Sequence, residues 1–145
     1  MEPSSPDAYA HRAAALAALG RYAEAVESHD AALALRPGFA NSWFNRGNAL
    51  RALGRFDDAL ASYDRALEIQ PRDPGALNNR GVTLARIDRH PEALDSFARA
   101  IDLAPGYAEA FNNRGISLQA LGFHDEAVAS FRSALERREE YPEAL

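Results

Sequence analysis

The sequence predicts an all-α fold of eight short helices in four similar pairs, and three observations carry that prediction. First, one pattern recurs every 34 residues: Trp43, Arg46-Gly47, Leu50, Gly54, Ala59, Tyr63, Ala66 and Pro71 are matched by Leu77, Arg80-Gly81, Leu84, Ala93, Phe97, Ala100 and Pro105. The frame continues through Phe111, Arg114-Gly115, Leu118, Gly122, Ala127, Phe131 and Ala134. Backward it gives Tyr9, Arg12-Ala13, Leu16, Gly20, Ala25, Ala32 and Pro37. A constant period of this size marks stacked units rather than one irregular core. Second, apolar residues such as Leu60, Tyr63 and Leu67 recur at three- and four-residue spacing, the period of a helix and not of a strand. Third, Gly20, Gly54, Gly122, Pro37, Pro71 and Pro105 fall at the ends of periodic stretches, where helices stop.

In chain order, residues 1–5 read as a polar tail, with Ser5 or Asp7 able to cap the first helix. The first helix of each pair is predicted over about Asp7–Leu19, Ala40–Leu53, Pro74–Ile87 and Tyr107–Leu121. The second is predicted over about Tyr22–Leu35, Phe56–Ile69, His90–Leu103 and His124–Arg138. Gly20, Gly54 and Gly122 stand where the first helix ends in a left-handed cap, with Asp88 in that place in the third copy. Pro37, Pro71 and Pro105 close the second helices, since proline cannot continue one. The copies span about residues 6–39, 40–73, 74–107 and 108–141, read together as one domain. Residues 142–145 open a fifth copy or a truncated cap.

Small residues account for close packing within each pair. Gly47, Gly81, Gly115 and Ala13 lie midway along the first helices, and Ala25, Ala59, Ala93 and Ala127 near the start of the second. Facing small residues let helix axes approach to about 8 Å, the close end of the usual range. Trp43, Leu77 and Phe111, with Tyr63, Phe97 and Phe131, then fill the space beside the crossing.

Composition narrows the function classes. Four copies account for nearly all of the 145 residues, leaving little room for a catalytic domain. The net charge of −5 argues against nucleic acid and anionic membranes as partners. With no cysteine, thiol catalysis and thiolate metal sites are excluded. The N-terminus lacks the charge and apolar pattern of a secretory signal, and Ala13–Leu19, the longest apolar run, is too short to span a bilayer. A cytoplasmic, non-enzymatic protein without cofactors is the expectation. His11, His29, His90 and His124 have no metal-ligand spacing. His29 reads as a packed ring in an aromatic position, and His90 and His124 as exposed. Ser28, Ser62, Ser96 and Ser130 recur identically, which fits packing better than a nucleophile.

The period, the Arg-Gly pair and the paired-helix pattern resemble the tetratricopeptide repeat, over about Pro6 to Tyr141 in four tandem copies. Arg12, Arg46, Arg80 and Arg114 depart from the leucine common there, and Glu139 stands where proline closes the other copies. The resemblance implies a right-handed superhelix whose concave groove, lined by the first helices, holds a peptide or a partner helix. Runs such as Asn-Arg-Gly-Asn look like those of bacterial arrays, some fused to glycosyltransferases of the O-linked N-acetylglucosamine type. A recruiting region of such an enzyme is therefore the alternative reading.

The predicted groove face carries Asn45, Asn79 and Asn113, with His11 in the same place of copy one; Phe44, Asn48, Arg51, Asn78, Val82, Arg86, Asn112 and Ile116 lie nearby. An amide both donates and accepts, which suits a peptide backbone of any sequence. Helices about 10 Å apart would meet an extended chain roughly once every three residues. The asparagines read either as such a ladder or as inherited polarity of a solvated groove. Phe44 reads as an apolar anchor or as packing, and Arg51 and Arg86 as readers of an acidic group or as solvated surface. The four arginines beside the glycines read as structural, joined to the recurring Glu24, Asp58, Glu92 and Glu126. Without lysine, a two-carboxylate clamp is disfavoured, and a polar, not strongly basic partner is expected. Pro142–Leu145 leave the fourth copy without a polar closing helix, so the expectation is a fragment of a longer protein or a homo-oligomer formed through that end.

Overall fold

The computed structural model describes residues 5–140. Among them are eight helices: α1 Pro6–Ala18, α2 Tyr22–Leu35, α3 Ala40–Ala52, α4 Phe56–Ile69, α5 Pro74–Arg86, α6 His90–Leu103, α7 Ala108–Ala120 and α8 His124–Glu140. The tail residues 1–4, Tyr141 and the expected opening of a fifth copy at Pro142–Leu145 lie outside the described residues. The chain divides into two compact units, one up to Pro71 and one from Arg72, holding α1–α4 and α5–α8.

The helix ends follow from single residues. Ser5 caps α1 by accepting from the Ala8 N–H at 3.1 Å, and Asp73 caps α5 by accepting from Ala76 at the same distance; Pro6 and Pro74 open those helices. The first helices stop one residue earlier than predicted, because Leu19, Leu53, Ile87 and Leu121 act as C-caps. After them Gly20, Gly54 and Gly122 take φ of 76°, 75° and 85°, and Asp88 takes 60°, a left-handed conformation that aspartate tolerates better than most residues. The N–H groups of Arg21, Arg55, Arg89 and Phe123 then reach back to the carbonyls of Leu16, Leu50, Leu84 and Leu118, each at 2.9 Å. α8 runs past Arg138 because Glu139, not proline, occupies the closing position.

Within pairs two to four, what stands nearest each mid-helix glycine is a ring. A Cβ on Gly47 would lie 2.7 Å from Tyr63 Cε1, one on Gly81 2.5 Å from Phe97 Cε1, and one on Gly115 2.6 Å from Phe131 Cε1. Each aromatic side chain of the second helix thus fills the space that a side chain on the first would need. Tyr63 and Phe97 are fully buried. The alanines are buried too, Ala25, Ala59 and Ala93 completely.

Copy one solves the same problem differently. Ala13 occupies the glycine position and His29, with a smaller ring, the aromatic one. His29 is 2% exposed, and its Nδ1 lies 2.8 Å from Ser42 Oγ on α3. Ser42 itself stands where Ala76 and Ala110 do, so the hydroxyl accompanies the imidazole. Burial holds the His29 pKa down at about 4, with Asp30 raising it and Arg46 lowering it. An unfolded histidine titrates near its ordinary 6.5, so the unfolded chain takes the proton first. The contribution of this site is full above pH 6.5 and is lost as pH falls from 6.5 to about 4.

The recurring arginines bind serines. Arg46, Arg80 and Arg114 donate through Nη1 to Ser62, Ser96 and Ser130 at 2.7, 2.8 and 3.2 Å, joining the two helices of one pair. Arg46 also donates through Nε to Asp30 Oδ1 at 2.7 Å, which joins copy two to copy one. The expected pairing with Glu24 and Glu92 holds as charge attraction, from Arg12 and Arg80, while these two and Asp58 take hydrogen bonds from elsewhere. Those carboxylates instead accept from Arg21, Arg55 and Arg89, three residues earlier, at the start of each second helix. The bond from Arg21 holds the Glu24 carboxyl below its usual pKa, and Arg89 does the same for Glu92. These pairs are exposed, and such pairs add little stability.

Two measurements check this packing. Gly81→Ala should lower stability by about 1–3 kcal/mol in urea unfolding, because the added methyl would displace the buried Phe97 ring. His29→Phe alone should destabilise by setting a six-membered ring against Ala13, whereas the triple change Ala13→Gly, His29→Phe and Ser42→Ala should recover stability. The triple variant should also lose much of the decline in urea midpoint that the parent shows between pH 6.5 and 4.

Candidate interaction surface

The predicted groove residues divide into those that face inward and those left at the surface. In the first unit, Asn48 Oδ1 accepts from the Tyr63 hydroxyl at 2.6 Å, which ties it to the buried ring. Phe44 is half-buried against the cluster formed by Ala13, Leu16, Ala25, Val26, Leu50 and Tyr63, with its ring tilted on Tyr63 at 6.1 Å between centroids. Asn45 and Arg51 are half-buried on the same helix, α3.

In the second unit Asn78 is corrected outright: it is 0% exposed and cannot touch a ligand. Its Oδ1 accepts from Asn113 Nδ2 at 3.1 Å, linking α5 to α7. Burial, with the Glu109 charge behind it, pushes the nearby Tyr107 hydroxyl upward in pKa. Asn78 Nδ2 nevertheless has no partner within hydrogen-bond distance. A buried donor left this way costs about 1–3 kcal/mol, so the Asn113 bond is what keeps the rest of this amide satisfied. Asn79, Asn112 and Asn113 are half-buried and Arg86 is exposed.

Beside Asn113 lies a mainly apolar cleft of about 220 Å³. Val82, Ala85 and Arg86 of α5 form one wall, Asn113 and Ile116 of α7 the other, and Phe97 and His90 of α6 the floor. His90, expected at the surface, is instead half-buried, with Nδ1 3.2 Å from Ser117 Oγ and Nε2 3.6 Å from Asp88. Histidine stands here where Tyr22 and Phe56 do, and Ser117 where Ala15, Ala49 and Thr83 do, so the histidine is the change that brings a ring nitrogen to this place. A second hollow of similar volume, between α1 and α2, is lined mostly by polar groups including Arg12, Glu24, Glu27 and Ser28.

Repeated helix pairs, with a cleft among α5, α6 and α7 of the second unit, define a repeat-built module for protein–protein interaction. Family models described as tetratricopeptide repeat match residues 6–39, 44–108 and 108–141, and the chain belongs to that family. No curated protein matches it in sequence. Among solved structures it is similar to a crystal structure of MamA, with a TM-score of 0.92 and 22% identity, over 98% of this chain and 83% of that one. MamA from residue 41 onward of Desulfovibrio magneticus RS-1 gives 0.88 and 23%, over 94% and 77%. MamA of AMB-1 gives 0.85 and 25%, over 94% and 80%. These likenesses concern the fold. Among the described residues no helix is long and apolar enough to cross a membrane, and no group of three or more His, Cys, Asp or Glu side chains is placed to hold a metal ion.

Removing the amide that satisfies Asn78 has a measurable cost. Asn113→Ala should lower stability by about 1–2 kcal/mol, whereas Asn112→Ala, on the same turn, should stay within about 0.5 kcal/mol in the same denaturation assay.

Proposed function

We propose that this chain is a non-enzymatic adaptor that holds an extended peptide of a partner protein along the faces of its first helices. The cleft beside Asn113 is the observation that supports this reading most. Asn113 gives its Nδ2 to Asn78, which fixes the amide plane and leaves Oδ1 as an acceptor for a peptide N–H. The adjoining cleft, floored by Phe97, has room for one apolar side chain from that peptide. Asn79 holds the same place on α5 and would take a neighbouring backbone group of the ligand, and Asn45 holds it on α3 of the first unit. Asn112 and Arg86 flank the cleft side, and Phe44 and Arg51 flank Asn45. A polar surface with one apolar seat reads the backbone generally and one side chain specifically.

Selection of peptides from a displayed random library on the full chain tests this. Retained peptides should share one apolar residue. Ile116→Arg, which fills the cleft from an exposed position, should weaken them at least ten-fold with an unchanged thermal midpoint. Binding untouched by Ile116→Arg would remove the cleft from the function. Binding untouched by Asn45→Ala and Asn79→Ala together would remove the ladder.

A further inference from the structure

Two departures from the repeat meet at the cleft among α5, α6 and α7. The first is His90. Tyr22 and Phe56 hold its place in copies one and two, and Tyr22 packs half-buried against the apolar cluster of the first unit. His124 holds it in copy four, exposed and not part of the cleft lining. The imidazole is a shorter ring, and both of its nitrogens are engaged. Nδ1 lies 3.2 Å from the buried Ser117 hydroxyl, and Nε2 faces Asp88 across 3.6 Å. Held on two sides, it leaves in the cleft the space that a longer ring at this place would take. The second departure is Arg86. Ala18, Ala52 and Ala120 hold its place in the other three copies. Here an exposed arginine lines the same cleft as His90. Where the chain shortens its own ring, it also supplies a cation.

Size and chemistry together narrow the occupant. An apolar cavity of about 150 Å³ holds a benzene molecule, and the cleft offers about 220 Å³. Val82 and Ile116 give it apolar sides, and the fully buried Phe97 closes it beneath. A carboxylate there would give up water among apolar walls for a single guanidinium. An aromatic ring gives up little, and its face attracts a cation, which a leucine or isoleucine side chain cannot do. Both walls belong to described helices of one unit, so the cleft is complete without any further copy. Resting on the peptide-binding reading above, we propose that the cleft seats one aromatic side chain of the bound peptide. His90 sets the depth of the seat, and Arg86 sets its preference for a ring over an aliphatic chain.

Three blocked pentapeptides serve as probes, Gly-Gly-X-Gly-Gly with Phe, Leu or Glu at the centre. Each is titrated into the full chain while the Ile116 methyl signals are followed by NMR. The Phe peptide should bind about three-fold more tightly than the Leu peptide and shift those methyls upfield through its ring current, with the Glu peptide weakest. His90→Tyr, which restores the residue of copy one, should weaken the Phe peptide about ten-fold. Arg86→Ala, which restores the residue of the other copies at an exposed position, should make the Phe and Leu peptides equal without moving the thermal midpoint. If His90→Tyr lowers that midpoint, the Arg86→Ala titration decides. Equal binding of Phe and Leu peptides by the parent, tighter binding of the Glu peptide, a Phe preference that survives Arg86→Ala, or Phe binding unchanged in a folded His90→Tyr chain would each overturn the ring seat while leaving the cleft a peptide site. No shift at Ile116 with any of the three would overturn the peptide reading itself, and the ring seat with it.

Discussion

The structure depends on one short contact: an aromatic ring in the space that a side chain on the neighbouring helix would need. With Tyr63, Phe97 or Phe131 in place, any side chain at Gly47, Gly81 or Gly115 would be driven into the ring at 2.5–2.7 Å. The approach of the two helices of such a pair is therefore limited by a ring that occupies the place of a side chain. The rest follows from that spacing. The arginine next to the glycine comes within reach of a serine on the facing helix, and the short left-handed turn can bridge the two ends. Copy one shows how the constraint yields. When the glycine becomes Ala13, the ring must shrink, and an imidazole brings a polar nitrogen that then needs a hydroxyl.

The interaction face is shaped by competition between interior and surface. A polar side chain on a first helix either satisfies the inside of the stack or stays at the surface. Asn78 and Asn48 have gone inward, to Asn113 and to Tyr63, while the half-buried Asn113 stands at the boundary, bonded to Asn78 and lining the cleft. This division gives the second unit a cleft with an oriented amide at its edge. Elsewhere the same kind of residue is part of the packing.

The repeat frame made the fold legible almost to the residue, because each helix end is signalled by its own proline, glycine or cap and each signal occurs several times. What periodicity could not reveal is which neighbour a residue touches. Gly47 and Ala59 are both small, and nothing in the spacing says that the glycine faces a ring. Likewise Glu24 and Arg12 recur in step, yet Arg21, next to the helix start, reaches the carboxylate first. On the groove face the period names candidates without separating buried from exposed: Asn78 and Asn79 are adjacent in sequence and differ by the 100° turn of the helix. The more informative signals were the breaks in the repeat. His29 with Ser42 is a paired departure whose members touch in space, and the departure at His90 likewise meets a hydroxyl, that of Ser117.

The pattern of contacts also bears on how the chain acquires its structure. Most helix–helix packing joins elements that are consecutive along the chain, α1 with α2, α3 with α4, α5 with α6 and α7 with α8. Little loop entropy has to be lost before such contacts form, so collapse can begin in several places at once and proceed quickly. Nucleation therefore need not wait for any one helix, and protection of amide hydrogens from exchange should grade from pair to pair instead of appearing all at once.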